Sequence, residues 1–272
     1  MGAHDPWHSQ ALQAQLDAVW PGMVVQIEPE VDSTNAWLMS RARLGPLSPT
    51  LLVAEHQTQG RGRLGRTWLS SPQASLTFSI GVMMCPPSWA GLSLAVGVAV
   101  VEALIGPAAG VLGLKWPNDV WLRQPLAARR KCGGILVETS GAGGTSGPRA
   151  CVVGVGLNVG QPDIASAQAE TVAAAALDDV LPLRHPAEVL HRIAAPLLQA
   201  LMQFDRQGLA PFLPRYASHD LLQGQAVHTS STAAPAGVAC GIDAHGALRL
   251  RVPSGEVVGV VSGEVSVRPV IC

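Results

Sequence analysis

The 272-residue sequence has little net charge and little lysine, and both shortages exclude functions. Its 18 basic residues are balanced by 19 acidic ones, whereas a protein that binds nucleic acid through its phosphates needs an excess of Lys and Arg. We therefore expect no DNA partner. Of the basic residues, only Lys115 and Lys131 are lysines, and the rest are arginines.

The sequence also lacks the patterns of paired cysteines, of a signal peptide and of a membrane span. No Cys-x-x-Cys motif occurs among the five cysteines, so we expect neither a disulfide framework nor a zinc site, and we expect a reducing compartment, the cytoplasm. The N-terminal residues lack the basic and apolar segments of a signal peptide. The most apolar stretch, Trp89 to Ile105, is about one turn too short for a membrane span and contains Glu102. It predicts a buried helix and no membrane partner.

The chain is rich enough in apolar residues, at 48%, to form a substantial core. Its first part mixes helix-like and strand-like segments, whereas short β-type runs separated by turn residues begin near Gln225. The pattern predicts an α+β fold with a small C-terminal β-barrel. We expect the larger domain to cover residues 1–221 and the barrel residues 222–272.

The first polar motif follows a strand-like run that starts at Val24. Ser33-Thr34-Asn35 precedes the helix-like segment Ala36-Trp37-Leu38-Met39. A hydroxyl oxygen at this position accepts hydrogen bonds from the free amides of a first helical turn. Ser33 or Thr34 is therefore predicted to cap a helix.

A second motif is the glycine- and arginine-rich segment that follows Gln57. Gly60-Arg61-Gly62-Arg63-Leu64-Gly65 fits the dinucleotide pattern G-x-G-x-x-G, but four polar residues separate it from the preceding strand, and no carboxylate lies about 20 positions later. A nucleotide-dependent oxidoreductase is thus disfavoured. Arg61, Arg63 and Arg66 instead predict a loop that binds a carboxylate or phosphate.

Three more motifs place polar residues at strand ends, and both lysines fall within them. Lys115-Trp116-Pro117-Asn118-Asp119 turns the chain after a strand, and Lys131 stands just before the strand-like run Gly134-Ile135-Leu136-Val137-Glu138. Gly154-Val155-Gly156-Leu157-Asn158 ends a further strand with an amide. Glycines in strands allow a ligand or another backbone to approach closely.

Together these motifs resemble the biotin–protein ligases. The order and spacing are similar across residues 31–160, and Ser262 to Arg268 resembles the family's C-terminal barrel. The resemblance implies a mixed sheet flanked by helices, as in class II synthetases, with an SH3-like barrel. It also implies a two-step reaction: biotin and Mg-ATP give biotinyl-5′-AMP and pyrophosphate, and the biotinyl group then passes to a lysine of a biotin carboxyl carrier protein. No tightly bound prosthetic group and no metal cage made by the protein are expected, since Mg²⁺ arrives with ATP.

The resemblance also implies roles for individual residues. Those expected to act in catalysis are Lys131, Arg63 and Asp119. Those expected to bind biotin are Ser33, Thr34, Asn35, Gln57, Arg61, Gly62, Arg63, Lys131, Gly133 and Gly134. Those expected to bind ATP or the adenylate are Arg61, Arg63, Arg66, Trp68, Lys115, Asn118, Asn158 and Arg268.

Some relatives carry an N-terminal DNA-binding domain and act as repressors, but too few residues precede Ser33 for one here. We therefore expect the monofunctional type of ligase. Two alternatives stay open: a lipoate–protein ligase, which shares the adenylate chemistry, and a non-catalytic biotin sensor or corepressor. Sheet-edge homodimers are common among relatives, and no sequence feature requires or excludes one.

Overall fold

A seven-stranded mixed sheet forms the centre of the larger part of the molecule. The computed structural model describes residues 5–106, 110–123, 130–140, 147–161, 175–263 and 266–270. The strands are β1 Val24–Val31, β2 Thr50–Gln57, β3 Ser75–Met84, β4 Leu112–Lys115, β5 Asp119–Leu122, β6 Lys131–Ser140 and β7 Arg149–Asn158. Their spatial order is β1-β2-β3-β7-β6-β5-β4. Only β1 and β2 run parallel, so the predicted mixed sheet is confirmed.

Helices cover both faces of this sheet. They are α1 Ser9–Asp17, α2 Thr34–Ala42, α3 Leu92–Ile105, α4 Pro186–Gln207 and α5 Leu213–His219. Helix α2 packs against β2, β3, β6 and β7, whereas α3 and α4 pack against each other and form the main core with the opposite face of the sheet. Nearly every residue of α3 is buried, as its apolar sequence predicts. None of the described helices is long and apolar enough to cross a membrane.

The two faces of the central strands differ sharply in side-chain size. In β3, Phe78 and Ile80 point into the main core with α3 and α4. Because side chains alternate along a strand, Thr77 and Ser79 point to the α2 face. The α2 face therefore carries small and polar residues, which leave room above the sheet for a site.

The C-terminal part is a five-stranded antiparallel sheet, in agreement with the small β domain expected. Its strands are β8 Ala226–Thr229, β9 Ala236–Ile242, β10 Leu248–Arg251, β11 Val257–Val260 and β12 Val267–Pro269, in the order β11-β10-β9-β8-β12. It contacts the larger part through the Trp116 indole N–H, which donates to the Gly246 carbonyl at 3.0 Å.

Some local predictions differ from the structure. Strand β5 and helix α5 were not expected. Lys131 was expected just before a strand, but it is the first residue of β6. The strand starts earlier because β6 pairs with β5 from Trp121 onward, with Lys131 as the partner of Trp121. Of the C-terminal motif, Glu264 and Val265 lie outside the described residues.

Candidate active site

The candidate site lies on the α2 face, along a row of residues that crosses four strands. The strand register places Thr77 beside Gly156, Gly156 beside Gly134, and Gly134 beside Asp119. The two glycines leave the middle of this row without side chains. The row thus has a floor of bare backbone between a neutral polar end, at β3 and α2, and a charged end, at β5.

The neutral end is a buried set of hydroxyl and amide groups. Ser33 caps α2, as predicted, because its Oγ accepts the Ala36 N–H at 3.4 Å. The backbone N–H of Thr34 donates to Gln57 Oε1 at 2.8 Å. Ser79 Oγ lies 2.7 Å from Thr34 Oγ1 and 2.6 Å from Asn35 Oδ1.

Two members of this set were not expected to be site residues. Ser79 is fully buried on β3, and Glu138 on β6 accepts the Asn35 side-chain N–H at 2.8 Å. The only sequence signal for Ser79 is the alternation of Ser75, Thr77 and Ser79 with apolar residues along β3. Glu138 belonged to a recognised motif but had no role assigned to it.

The charged end is a carboxylate held between the two lysines of the chain. Asp119 Oδ1 lies 2.8 Å from Lys131 Nζ, and Asp119 Oδ2 lies 3.5 Å from Lys115 Nζ. Burial raises the pKa of Asp119, but the two ammonium groups outweigh it and hold that pKa below its usual value. Burial lowers the pKa of Lys115, and Asp119 offsets part of this effect. With both lysines charged, the trio carries one excess positive charge and attracts anions.

Arg63 links the glycine loop to this charged end and to the C-terminal domain. It lies in a 3-10 turn, Arg63–Gly65. Its guanidinium donates to Asn118 Oδ1 at 3.3 Å and to the carbonyls of Ser262 and Gly263. Asn118 is fixed in turn, because its Nδ2 donates to the Ile135 carbonyl at 2.8 Å.

Trp68 covers the glycine floor. A Cβ built at Gly156 would lie 2.5 Å from Trp68 Cε2, and one built at Gly134 would lie 3.7 Å from Trp68 Cζ3. Lys131 Nζ lies 5.8 Å from the indole centroid, within cation–π range. The buried indole N–H finds no hydrogen-bond acceptor among the described residues, so it is free to donate to a ligand.

The structure places the other expected site residues away from this row. Arg61, Arg66 and Arg268 have exposed side chains that form no hydrogen bond or ion pair with any described residue. Asn158 donates to the Ala175 carbonyl at 3.1 Å. Gly133 lies on the opposite face of β6 from Gly134, where a Cβ would meet Leu157 and lie 2.9 Å from the Gly156 carbonyl oxygen. Gly62 donates its N–H to the Arg66 carbonyl at 2.7 Å, which closes the glycine loop.

Within the described residues of the row, the Asp119 carboxylate is not available to hold a metal ion. Each Asp119 oxygen already faces a lysine ammonium, and the described part of the chain contains no cluster of three or more His, Cys, Asp or Glu suited to a metal. Two of the described thiols, those of Cys132 on β6 and Cys151 on β7, are buried and unsuited to act as nucleophiles. Burial raises the pKa of Cys132 and of Cys151 to about 12, so both stay protonated near neutral pH.

Comparison with known proteins identifies the fold and the order of the motifs. Residues 29–158 match the biotin/lipoate A/B protein ligase family, and residues 231–268 match the biotin protein ligase C-terminal domain. The biotin–[acetyl-CoA-carboxylase] ligase of Mycobacterium tuberculosis is 34% identical over 96% of this chain and 95% of its own length. The bifunctional ligase/repressor BirA of Escherichia coli is 33% identical over 96% of this chain and 78% of its own.

A solved structure of a relative agrees with the sequence matches. The biotin protein ligase of Aquifex aeolicus, in complex with biotin and ATP, superposes with a TM-score of 0.71 at 29% identity, covering 91% of this chain and 99% of that one. The oxidoreductase interpretation of the glycine loop is thereby excluded. The chain belongs to the biotin/lipoate A/B protein ligase family and carries that family's biotin protein ligase C-terminal domain.

Proposed function

We propose that this protein is a biotin–protein ligase. It activates biotin with Mg-ATP as biotinyl-5′-AMP, releases pyrophosphate, and transfers the biotinyl group to a lysine of a biotin carboxyl carrier protein with release of AMP. The observation that carries the proposal is the row on the α2 face, with neutral hydrogen-bonding groups at one end and two lysines at the other. Biotin has the same polarity, with a neutral ureido ring at one end and a carboxylate at the other.

The neutral end suits the ureido ring. Thr34 and Gln57 are buried and close together, and the Trp68 indole, which the glycine floor admits, offers an apolar face to the bicycle. Ser33 fixes the start of α2 at this end of the row. The Asn35 side chain forms hydrogen bonds with Ser79 and Glu138 and so holds the neighbouring Thr34 in place. Such a pocket, mainly apolar with a few oriented polar groups, is the usual form of a small-molecule site.

The charged end suits the chemistry of activation. A biotin carboxylate and an α-phosphate repel each other as they approach, and a cation placed between them lowers that barrier. Lys131 is the better placed lysine, since its side chain is one-third exposed whereas that of Lys115 is one-tenth exposed. Asp119 holds both ammonium groups in position. Arg63 would meet the phosphates, and Mg²⁺ would enter on ATP, where it neutralises phosphate charge.

The nucleotide is proposed to lie toward Trp68 and the glycine loop. The exposed arginines Arg61 and Arg66 can fold inward over an anion, because the glycines of the loop allow it. Lys115 and Asn118 belong to the β4–β5 hairpin and line that side of the proposed nucleotide site. Asn158 and Arg268 are also assigned to the nucleotide; the Asn158 amide donates to the Ala175 carbonyl, and the Arg268 side chain is exposed.

Other features of the proposal concern the whole chain. We place the domain boundary between residues 221 and 222, supported by the end of α5 at His219 and the start of β8 at Ala226. Strand β1 is an edge of the sheet, which suits a homodimer. The described cysteines are free thiols, which supports a reducing compartment such as the cytoplasm.

One assay tests the proposed function against its alternatives. The purified protein is incubated with Mg-ATP and either biotin or lipoate, pyrophosphate release is measured, and an added biotin carboxyl carrier domain is weighed by mass spectrometry. We expect biotin-dependent pyrophosphate release and one biotinyl group on the carrier. Activity with lipoate alone would indicate a lipoate ligase, and biotin binding without pyrophosphate release would indicate a sensor; either result would overturn the proposal.

A further inference from the structure

We propose that Asp119 is a specificity-determining residue that prevents the protein from biotinylating its own Lys131. In this proposal the carboxylate keeps the Lys131 side chain as an ammonium ion, which is not a nucleophile, so the biotinyl group is left for the lysine of the carrier protein. The inference rests on the proposed function, because the acyl-adenylate that would react with Lys131 is the intermediate of that reaction.

The charged end places Lys131 beside a group that modifies lysines. Its Nζ lies over the glycine floor, since a Cβ built at Gly134 would be 3.3 Å from it. After activation, the mixed anhydride of biotinyl-5′-AMP lies where the carboxylate and the α-phosphate met, next to this nitrogen. A group held beside its target has an effective concentration of about 10⁵ M or more. Even a small neutral fraction of Lys131 would therefore compete with the carrier.

Self-biotinylation would follow the same course as transfer to the carrier. The lone pair of a neutral Lys131 Nζ would attack the acyl carbon of biotinyl-5′-AMP, a C–N bond would form, and the C–O bond to the phosphate would break. AMP would leave with the electron pair of that bond, and the nitrogen would release a proton to water. The resulting amide is neutral, so it lacks the positive charge that activation needs. Each such event would inactivate one molecule.

The ion pair between Asp119 and Lys131 keeps the lone pair occupied by a proton. Asp119 Oδ1 lies 2.8 Å from Lys131 Nζ, a distance typical of an ammonium group that donates to a carboxylate. The ammonium groups of Lys131 and Lys115 hold the pKa of Asp119 below its usual value, so the carboxylate is ionised. Among the described residues, Asp119 is the one carboxylate that pairs with Lys131. The protection therefore depends on a single side chain.

The lysine content of the chain is consistent with this protection. Lys115 and Lys131 are the only lysines among its 18 basic residues. Arginine stays protonated at all physiological pH values, so the arginines of the glycine loop do not take up biotin. The Lys115 side chain is one-tenth exposed and faces the other Asp119 oxygen at 3.5 Å, whereas that of Lys131 is one-third exposed. Lys131 is thus the side-chain amine most open to the intermediate.

The test supplies biotinyl-5′-AMP, without carrier, to the wild-type protein and to Asp119→Asn, and follows the intact mass of each. The substitution keeps the shape of the side chain and removes its charge. Because loss of an opposite charge at this distance raises the neutral fraction of an amine by roughly tenfold or more, we expect the variant to gain a biotinyl group about tenfold faster than the wild type or faster still. Peptide mapping should place the group on Lys131, and its rate of addition should increase with pH.

Three further variants separate retention of the proton from general damage. Asp119→Asn combined with Lys131→Arg lacks both the carboxylate and the reactive amine, and should gain no biotinyl group. Arg63→Lys places an amine where the structure offers only Asn118 Oδ1 and two backbone carbonyls. We expect position 63 to be biotinylated while Lys131, with Asp119 intact, is not. Arg249→Lys, at an exposed position of β10, measures the ordinary reaction of a surface lysine and should be slower.

Each outcome decides the proposal. Equal labelling of Lys131 in the wild type and in Asp119→Asn would overturn it, as would a variant that binds biotinyl-5′-AMP by calorimetry and stays unlabelled. If Asp119→Asn does not fold, labelling of position 63 in Arg63→Lys no faster than of position 249 in Arg249→Lys would overturn it. A wild-type protein that neither binds biotinyl-5′-AMP nor releases pyrophosphate from biotin and Mg-ATP would instead overturn the proposed function, and this inference with it.

Discussion

At the scale of single residues, glycines on the two faces of β6 and β7 have different neighbours and different roles. Gly156 and Gly134 admit the Trp68 indole to the surface of the sheet. Gly154, on the same face, admits the Asn35 amide, which a Cβ would overlap. Gly133 faces the core and the backbone of the neighbouring strand. Adding one methyl group should therefore have different consequences at different positions.

We predict that Gly156→Ala impairs activity more than stability. The added Cβ would lie 2.5 Å from Trp68 Cε2. Because the indole is only half-buried, it can move away from the strand, and this movement displaces it from its position in the site. Adenylate formation should fall about tenfold or more, since small misplacements cost this much. Urea unfolding should show little change.

Gly133→Ala should show the opposite pattern. Its Cβ would lie 2.9 Å from the Gly156 carbonyl oxygen, and backbone in a central strand cannot yield easily, so the free energy of unfolding should fall by about 1–3 kcal/mol. Gly259→Ala is the matched control, because a Cβ there meets nothing within 4 Å. A destabilised Gly156→Ala with normal activity would contradict this account of the two faces.

At the scale of elements, the β4–β5 hairpin and the glycine loop assemble the charged end. The hairpin makes Lys115 and Asp119 register partners, and pairing with β6 brings Asp119 beside Gly134. Arg63 then ties the loop to the hairpin through Asn118.

The sequence predicted these elements only in part. The turn at Trp116-Pro117-Asn118 and the apolar helix within Trp89 to Ile105 have strong local signals, and both were expected. Strand β5 was missed because four residues that begin with a charge have little strand signal, and pairing with β6 decides their structure. The contacts of Asn35 with Ser79 and Glu138 could not be predicted, because they span 44 and 103 positions of sequence.

We predict that Arg63→Gly lets the adenylate escape. The variant loses the guanidinium contacts to Asn118 and to the C-terminal carbonyls, so the loop holds an anionic intermediate poorly. Free biotinyl-AMP would then acylate lysines of a bystander protein, which mass spectrometry detects. Thr67→Gly, which loosens the same loop without removing an arginine, is the control. Labelling of the carrier alone, at the wild-type rate, would show that Arg63 lies outside the phosphate site.

At the scale of the whole molecule, the two sheets are joined by contacts that reach the active site. Trp116 is fully buried in the hairpin and donates to Gly246 in the C-terminal domain, while Arg63 donates to the carbonyls of Ser262 and Gly263. The C-terminal domain therefore contacts both the β4–β5 hairpin, which carries Lys115 and Asp119, and the glycine loop, which carries Arg63.

Trp116→Phe should weaken this connection. The Gly246 carbonyl would lose its indole donor, and a buried acceptor without a partner costs about 1–3 kcal/mol. Urea unfolding measures the loss, and Trp37→Phe, on the partly exposed face of α2, is the comparison for removing an indole elsewhere. Equal stability of the two variants would mean that the contact contributes nothing to docking.

The central claim is that Lys131, held by Asp119, draws together the biotin carboxylate and the α-phosphate. The most direct test measures both half-reactions in Lys131→Ala. We expect adenylate formation to fall roughly a hundredfold or more, with folding nearly unchanged because Lys115 still pairs with Asp119. Transfer from supplied biotinyl-AMP to the carrier should stay close to wild type, since that step no longer joins two anions. Pyrophosphate release near the wild-type rate, or loss of both steps together with the melting temperature, would contradict the account.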